Sequence, residues 1–124
     1  MSRVSQLCLS ALLALTLLAG CGSDESTDEV APKKDDSGVA TIDITFEGDT
    51  VKPQGARVEV VAGEPVKLRI DADQGGELHV HSSPEQELEY PAGTTEQTIT
   101  LDQPGVVDVE SHDLEQLIVQ LEVR

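Results

Sequence analysis

The feature that most constrains this chain is an alternation of apolar and polar residues with period two, which runs through positions 39–124. It begins in "VATIDITF", where Ile42, Ile44 and Phe46 alternate with polar side chains. It recurs in "RVEV", "VKLRID", "ELHVHS", "ELEY", "QTITL", "VVDVES" and "LIVQLEV". Period two is the side-chain repeat of a β-strand that buries one face. The pattern therefore predicts seven or eight short strands.

Turn residues separate these strands. Gly or Pro occurs in each of the five short segments 52–55, 63–65, 73–76, 91–93 and 102–105, as expected where the backbone reverses. Short strands with a turn signal roughly every eight to twelve residues predict an antiparallel β-sandwich. The one helical candidate is a single turn at 112–116. We expect one all-β domain at 39–124 with an aliphatic core, because Phe46 and Tyr90 are its only aromatic residues.

The first residues are typical of a secretion signal. Arg3 provides a positive start, and the apolar run "LCLSALLALTLLAG" is too short to span a bilayer as a helix. It ends in Leu18-Ala19-Gly20-Cys21, which resembles the lipobox of bacterial lipoproteins. We therefore expect 1–20 to be a lipoprotein signal peptide and Cys21 to carry a lipid that anchors the protein to a bacterial membrane, outside the cytoplasm. The alternative is an ordinary signal peptide followed by a chance cysteine.

The segment between the anchor and the domain is acidic and contains little to bury. Residues 22–38 read "GSDESTDEVAPKKDDSG", a composition that does not offset its own ordering entropy. We expect 21–38 to be the lipidated cysteine followed by a flexible linker. Because the only cysteines are Cys8 and Cys21 and the only methionine is Met1, the domain itself has no sulfur ligand.

The order of several motifs resembles a known family. The sequence "VVAGEPVKLRIDAD", a following histidine strand, "YPAGTTEQTITLDQPGVVDVESH" and a closing "LIVQLEVR" are similar to the EfeO-type cupredoxin-like domains of bacterial lipoproteins and secreted proteins. The resemblance covers almost all of 40–124. It implies a Greek-key sandwich of the cupredoxin-like type.

In blue-copper cupredoxins, the metal lies at one end of the sandwich and is bound by two histidines, a cysteine and a methionine. The resemblance assigns His79 to the first histidine and His112 to the second. Cysteine and methionine have no counterpart, since the nearest residues are Val109, Ser111 and Leu117. A blue-copper centre requires the thiolate, so the sequence excludes one.

A third histidine, His81, stands two residues after His79 in "HVH". Residues i and i+2 on a strand project from the same face, so both imidazoles could converge on one ion together with His112. Glu77 or Glu110 could add an oxygen ligand. Imidazole and carboxylate without sulfur suit one Cu(II) or another divalent ion such as Zn(II). Such binding requires neutral imidazoles and weakens as the pH falls through about 6.5.

The alternative is that Leu78 and Val80 form the buried face of this strand. The histidines would then be ordinary polar residues on the outside. Sequence alone does not settle which face is buried, so two functions stay open: a metal-binding module for copper or iron, and a metal-free structural or protein-interaction domain.

The charge excludes several classes of partner. The formal net charge is −16, and positions 39–124 carry 18 acidic and five basic side chains, hence −13. A field of this sign repels phosphates and anionic headgroups, so nucleic-acid binding is not expected. We also expect no catalytic site, because neighbouring residues such as Ser111 and His112 point to opposite faces of a strand. The sequence identifies no protein partner.

Overall fold

The structure, a computed structural model, describes residues 32–124. It contains ten strands. They are β1 (Lys33–Lys34), β2 (Ala40–Glu47), β3 (Thr50–Lys52), β4 (Ala56–Val60), β5 (Pro65–Ala72), β6 (Gly76–Val80), β7 (Gln86–Tyr90), β8 (Gly93–Thr100), β9 (Gly105–Ser111) and β10 (Gln116–Val123). The predicted all-β sandwich is confirmed. The two additional strands, β1 and β3, have two and three residues, too few for an alternation to reveal them.

The strands form two five-stranded sheets. Sheet 1 has the order β1-β2-β5-β8, and β3 also pairs with β2, whereas sheet 2 has the order β4-β10-β9-β6-β7. Most pairs are antiparallel, but β2 with β5 and β4 with β10 are parallel. Parallel neighbours require a crossover, and the chain makes one when it leaves sheet 1 to form β4 before returning as β5. The sheets are therefore mixed, which differs from the purely antiparallel arrangement expected.

The core lies between the two sheets and is aliphatic, as predicted. On β5, Val66, Leu68 and Ile70 are at most 1% exposed while the residues between them face outward. Phe46 and Tyr90 stack with ring centroids 5.2 Å apart at one end of this core. The alternation seen in the sequence is thus the alternation of core and surface.

The segment 112–115 forms a turn rather than the helical turn expected there. Among residues 32–124, none forms a helix long and apolar enough to cross a bilayer.

The signal peptide at 1–20 and Cys21 lie outside the described residues. Of the predicted linker 21–38, the structure describes the end that begins at Pro32. There β1 pairs with the start of β2, and the Asp35 carboxylate accepts a hydrogen bond from Lys67 Nζ at 3.0 Å. This contact lowers the pKa of Asp35 and raises that of Lys67. The chain therefore joins the sandwich several residues before Val39, along sheet 1.

Candidate metal centre

Strand β6 determines where the histidines point. Leu78 and Val80 are 0% exposed and pack into the core, so the alternate positions Glu77, His79 and His81 lie on the outer face of sheet 2. The side chains of His79 and His81 are 21% and 40% exposed. Of the two orientations that the sequence left open, the structure has the one in which the histidines face outward.

The end of β9 brings His112 to the same place. The His112 backbone N–H donates to the Glu77 carbonyl oxygen at 3.0 Å, which extends the contact between β9 and β6 by one residue. Ser111, just before it, is 1% exposed, and its hydroxyl accepts a hydrogen bond from the Leu114 N–H at 3.3 Å. The His112 ring lies over that of His79, with centroids 4.7 Å apart and an interplanar angle of 32°.

Glu77, His79 and His112 therefore form a compact set of possible metal ligands. One ligand atom from each lies within 4.8 Å of the others, and His79 Nε2 is 2.8 Å from Glu77 Oε1. Ligand atoms bound to one zinc-sized ion at about 2.0–2.2 Å lie at most about 4.4 Å apart. Glu77 and His79 are half-buried and His112 is exposed, so side-chain rotation would have to bring the three ligand atoms within this shorter spacing. An open surface cleft of about 510 Å³ gives access to His79 and His112.

His81 lies outside this set, although the sequence placed all three histidines in one site. Its ring centroid is 6.3 Å from that of His79. His81 Nε2 is 3.0 Å from Glu110 Oε2, and its Nδ1 is 3.4 Å from Glu85 Oε2. The hydrogen bond with Glu110 raises the pKa of His81. Of the two possible oxygen ligands named from the sequence, Glu77 is hydrogen-bonded to His79 and Glu110 is hydrogen-bonded to His81.

Glu85 is a residue that the sequence analysis missed. It lies in the turn between β6 and β7, and its two carboxylate oxygens face the Nδ1 atoms of His79 at 4.0 Å and of His81 at 3.4 Å. The sequence signal for it was the Ser83-Pro84 turn one residue after "HVH", since a tight reversal returns the next side chain towards the strand that carries the histidines.

Strand β6 begins at a closely packed glycine, Gly76, directly before the ligand residue Glu77. A Cβ at Gly76 would lie 2.5 Å from Asp113 Oδ2 and 2.6 Å from the Tyr90 hydroxyl oxygen, so no other residue fits without movement. The Glu77 N–H also donates to Asp113 Oδ2 at 3.3 Å. Burial, with the charges of Asp113 and Asp73 adding to it, raises the pKa of Tyr90 to about 12. These contacts connect the His112 turn to β6.

The nearest counterparts of the missing cysteine and methionine do not supply donors. Val109 is 0% exposed and faces the core, and the Ser111 hydroxyl is occupied by the turn. Positions 32–124 contain neither cysteine nor methionine. The donor set of the described domain consists of imidazole and carboxylate.

Comparisons with known proteins agree with this architecture. No protein-family model matches the chain, and no curated protein matches it. Among solved structures, the metal-binding domain of the Cu(I)-exporting P-type ATPase CopA of Streptococcus pneumoniae D39 superposes with a TM-score of 0.60 at 14% identity, over 79% of this chain and 97% of that one. The fold is cupredoxin-like.

Two further structures share the fold. A copper-binding protein solved by NMR in its apo form has a TM-score of 0.59 at 12% identity, over 79% of this chain and 99% of that one. A multi-copper oxidase from Pediococcus acidilactici has a TM-score of 0.54 at 15% identity, and the match covers 77% of this chain but 28% of the oxidase. At these identities the likeness defines the architecture, and the chemistry has to be argued from the residues of this chain.

Proposed function

We propose that this protein is an extracytoplasmic lipoprotein of the EfeO-type cupredoxin-like class, and that its domain binds a divalent metal ion without forming a blue-copper centre. The observation that carries the proposal is the convergence of Glu77, His79 and His112, whose ligand atoms lie within 4.8 Å of one another. They come from one strand and from a turn 33 positions further along the chain, so it is the sandwich that brings them together.

The donor set fits copper or iron. Two imidazoles and one carboxylate suit Cu(II) or Zn(II), and the same combination is used by non-haem Fe(II) sites. His79 and His112 would bind through nitrogen and Glu77 through oxygen. A bound ion would keep at least one coordination position for water or for a ligand from a partner, because three protein ligands leave such sites open.

Charge supports a cation as the ligand. Positions 39–124 carry 18 acidic and five basic side chains, and a negative field raises the local concentration of cations. We propose that the site binds an ion rather than catalyses a reaction. The hydroxyl nearest His112 in sequence is that of Ser111, which is buried and accepts a hydrogen bond from the Leu114 N–H, so it does not offer a serine nucleophile. The same field makes nucleic acid an unsuitable partner.

The anchor is proposed from the sequence around Cys21, which we expect to be lipidated. The described chain starts beside sheet 1, whereas Glu77 and His79 lie on sheet 2 and His112 directly follows β9 of that sheet, so the described end of the linker and the site belong to different sheets. The test is membrane fractionation of the intact protein and of Cys21→Ala. Release of the variant into the soluble fraction is expected, and its continued partition with membranes would contradict the anchor.

The metal site is tested by titrating Cu(II), Zn(II) and, without oxygen, Fe(II) into the full chain purified without a histidine tag. Cys8→Ser and Cys21→Ser form the background, so that no thiol competes for the ion. We expect the highest-affinity equivalent to disappear in His79→Ala and in His112→Ala and to persist in His81→Ala, the matched histidine control. We also expect weaker binding at lower pH, because the imidazoles must be neutral.

A metal-free interaction domain is the alternative, and one observation favours it. His79 and His81 face outward, and each already has a carboxylate partner, Glu77 or Glu110, so neither requires an ion to satisfy its ring nitrogens. Titrations that show no binding beyond that of an acidic surface would support this function over the first.

A further inference from the structure

Strand β8 is a long edge strand of sheet 1. It pairs with β5 without a bulge, from Pro65 with Thr100 to Ala72 with Gly93, and among the described residues no strand pairs with its other side. Its sequence, "GTTEQTIT", contains neither proline nor lysine, and Glu96 is its one charged residue. Threonine and isoleucine favour strands. The free side of β8 therefore presents a row of backbone N–H and C=O groups that another chain can pair with.

The other sheet edges are shorter or better protected. β1 and β3 have two and three residues, and β4 has five, with Arg57 and Glu59 among them. On β7, Glu87 and Glu89 are exposed, and Gln97 Nε2 donates a hydrogen bond to the Glu89 carbonyl oxygen at 3.0 Å. Short length, charged side chains and an occupied carbonyl each hinder pairing with another chain. Of the described edges, β8 is the one best suited to receive a further strand.

A second β8 strand matches this edge. Two identical edge strands pair antiparallel about a two-fold axis perpendicular to the sheet, which gives the same contacts in both directions. Opposite residues must lie on the same face of the joined sheet, so the axis passes through a residue position. An axis at Glu96 would place two carboxylates opposite each other, which is destabilising. An axis at Gln97 pairs residues 94–100 and places Glu96 opposite Thr98 of the second copy.

The charges of sheet 1 are complementary in this register. On β5, Lys67 lies beside Thr98 and Arg69 lies beside Glu96. The row across the joined sheet therefore contains Lys67 and Thr98 of one copy, then Glu96 and Arg69 of the other. The two-fold axis repeats the same row in the opposite direction. No two like charges lie directly opposite each other across the new contact, which is the condition for a stable cross-strand pair.

We propose that β8 pairs with the β8 strand of a second copy of this chain, antiparallel about a two-fold axis at Gln97, and joins the two copies of sheet 1. β1 lies at the opposite edge of sheet 1, so the described end of the linker does not obstruct this pairing. Because the axis is perpendicular to sheet 1, the candidate metal centres of both copies face the same side. The inference does not depend on whether those centres bind an ion.

The dimer should be weak and should strengthen with salt. An edge-to-edge contact is smaller than a standard protein interface, which places it among weak associations. Positions 39–124 carry a formal charge of −13, and Glu87 and Glu89 lie on β7, the edge strand that Gln97 contacts. Salt screens repulsion between exposed charges that lie further apart than about 8 Å at physiological ionic strength. We therefore expect tighter association at higher salt.

The dimer is tested by sedimentation velocity over a concentration series of the full chain, with Cys8→Ser and Cys21→Ser as background. Non-ionic detergent keeps the apolar run before position 21 dispersed. Thr98→Glu places a carboxylate opposite Glu96 of the second copy at two symmetric positions, and should lower the association constant by about 2- to 30-fold. Its thermal unfolding should not weaken, because the new carboxylate lies beside Lys67 of its own chain.

Two matched controls separate this contact from general effects. Thr98→Gln has nearly the shape of Thr98→Glu without its charge and should retain the dimer. Thr50→Glu adds the same charge at an exposed position on β3, away from β8, and should also retain it. A dimer that withstands Thr98→Glu would place the interface elsewhere and overturn the assignment. A chain that stays monomeric as its concentration and the salt rise would overturn the inference and leave the metal titrations unaffected.

Disulfide cross-linking in the same background tests the register. Opposite residues of an antiparallel pair have Cα atoms about 4.5–5.5 Å apart, a distance that a disulfide spans. Gln97→Cys should therefore link the two copies across the axis under mild oxidation. Glu96→Cys and Thr98→Cys lie diagonal to their own counterparts, about 7–8 Å apart, and should cross-link less. Equal cross-linking at the three positions would contradict the axis at Gln97.

Discussion

Replacement of Gly76 by alanine measures how tightly the strand that carries the histidines is packed. The new Cβ would lie 2.5 Å from Asp113 Oδ2, 2.6 Å from the Tyr90 hydroxyl oxygen and 2.9 Å from Tyr90 Cζ. The Tyr90 ring cannot easily retreat, because it is 6% exposed and stacks on Phe46 with centroids 5.2 Å apart. The Asp113 carboxylate is held by the Glu77 N–H. The methyl group must therefore displace the Tyr90 ring, the Asp113 carboxylate or the start of β6.

Two opposing effects determine the size of the change. A Gly-to-Ala substitution that fits without strain stabilises a protein by about 0.4–1 kcal/mol, because the unfolded chain loses freedom. Forcing an extra methyl group into a packed position costs about 1–3 kcal/mol. With three contacts below 3 Å, overpacking should dominate, so we expect Gly76→Ala to lower the free energy of unfolding by about 1–2 kcal/mol. For a domain of this size that corresponds to a fall in Tm of roughly 4–16 °C.

The assay is urea unfolding followed by circular dichroism in metal-free buffer. In a Tyr90→Phe background, Gly76→Ala should lower the free energy of unfolding by less than it does in the parent protein. The reason is that phenylalanine lacks the hydroxyl oxygen that lies 2.6 Å from the new Cβ. The 2.9 Å contact with Cζ and the contact with Asp113 remain, so recovery should be incomplete. A Gly76→Ala protein as stable as the parent, or more stable, would refute this account of the packing.

Four further substitutions test other parts of the structure. In urea unfolding, Leu78→Ala should lower the free energy of unfolding by about 2–5 kcal/mol. His79→Ala should change it by no more than about 0.5 kcal/mol. Equal losses in the two variants would contradict the orientation of β6. Glu115 has φ of 49°, so Glu115→Gly should raise the free energy of unfolding by up to about 1 kcal/mol, and a loss would argue against strain there. Because Glu110 raises the pKa of His81, their pairing stabilises the fold below the ordinary value of 6.5 and this contribution fades as pH rises above it. Metal-free unfolding of His81→Gln should therefore approach the parent's with rising pH, and a constant difference would contradict the pairing.

The sandwich could be predicted from the sequence because its strands are long enough to show period two. Ile42, Ile44 and Phe46 alternate with polar residues in the chain, and the structure buries all three. The pairing partners could not be predicted in the same way. Alternation defines which face of a strand is buried, but it does not define the neighbour, so the parallel pairs β2 with β5 and β4 with β10 had no local signal.

The candidate site was predicted only in part. The proximity of His79 and His112 followed from a family resemblance, while the direction of the histidines depended on whether Leu78 or His79 entered the core. The alternation of side chains has period two in either orientation of β6, so the sequence could not distinguish the two orientations. Glu85 was missed because its role depends on the path of the turn after β6, and no alternation pattern records the direction of a turn residue.

The position of these donors limits what the domain can do with a metal ion. Inward positions on β9 such as Val109 contribute to a dry aliphatic core, and the three donors of the candidate centre lie instead on the outer face of sheet 2 and in the 112–115 turn. The fold there supplies fixed spacing between ligands but no apolar enclosure, and it is the apolar shell that controls solvent access and redox potential at a metal. An ion at Glu77, His79 and His112 would be exposed to water and to incoming ligands. We therefore expect a site suited to capturing and releasing ions, which requires access, rather than to electron transfer, which requires enclosure and a thiolate.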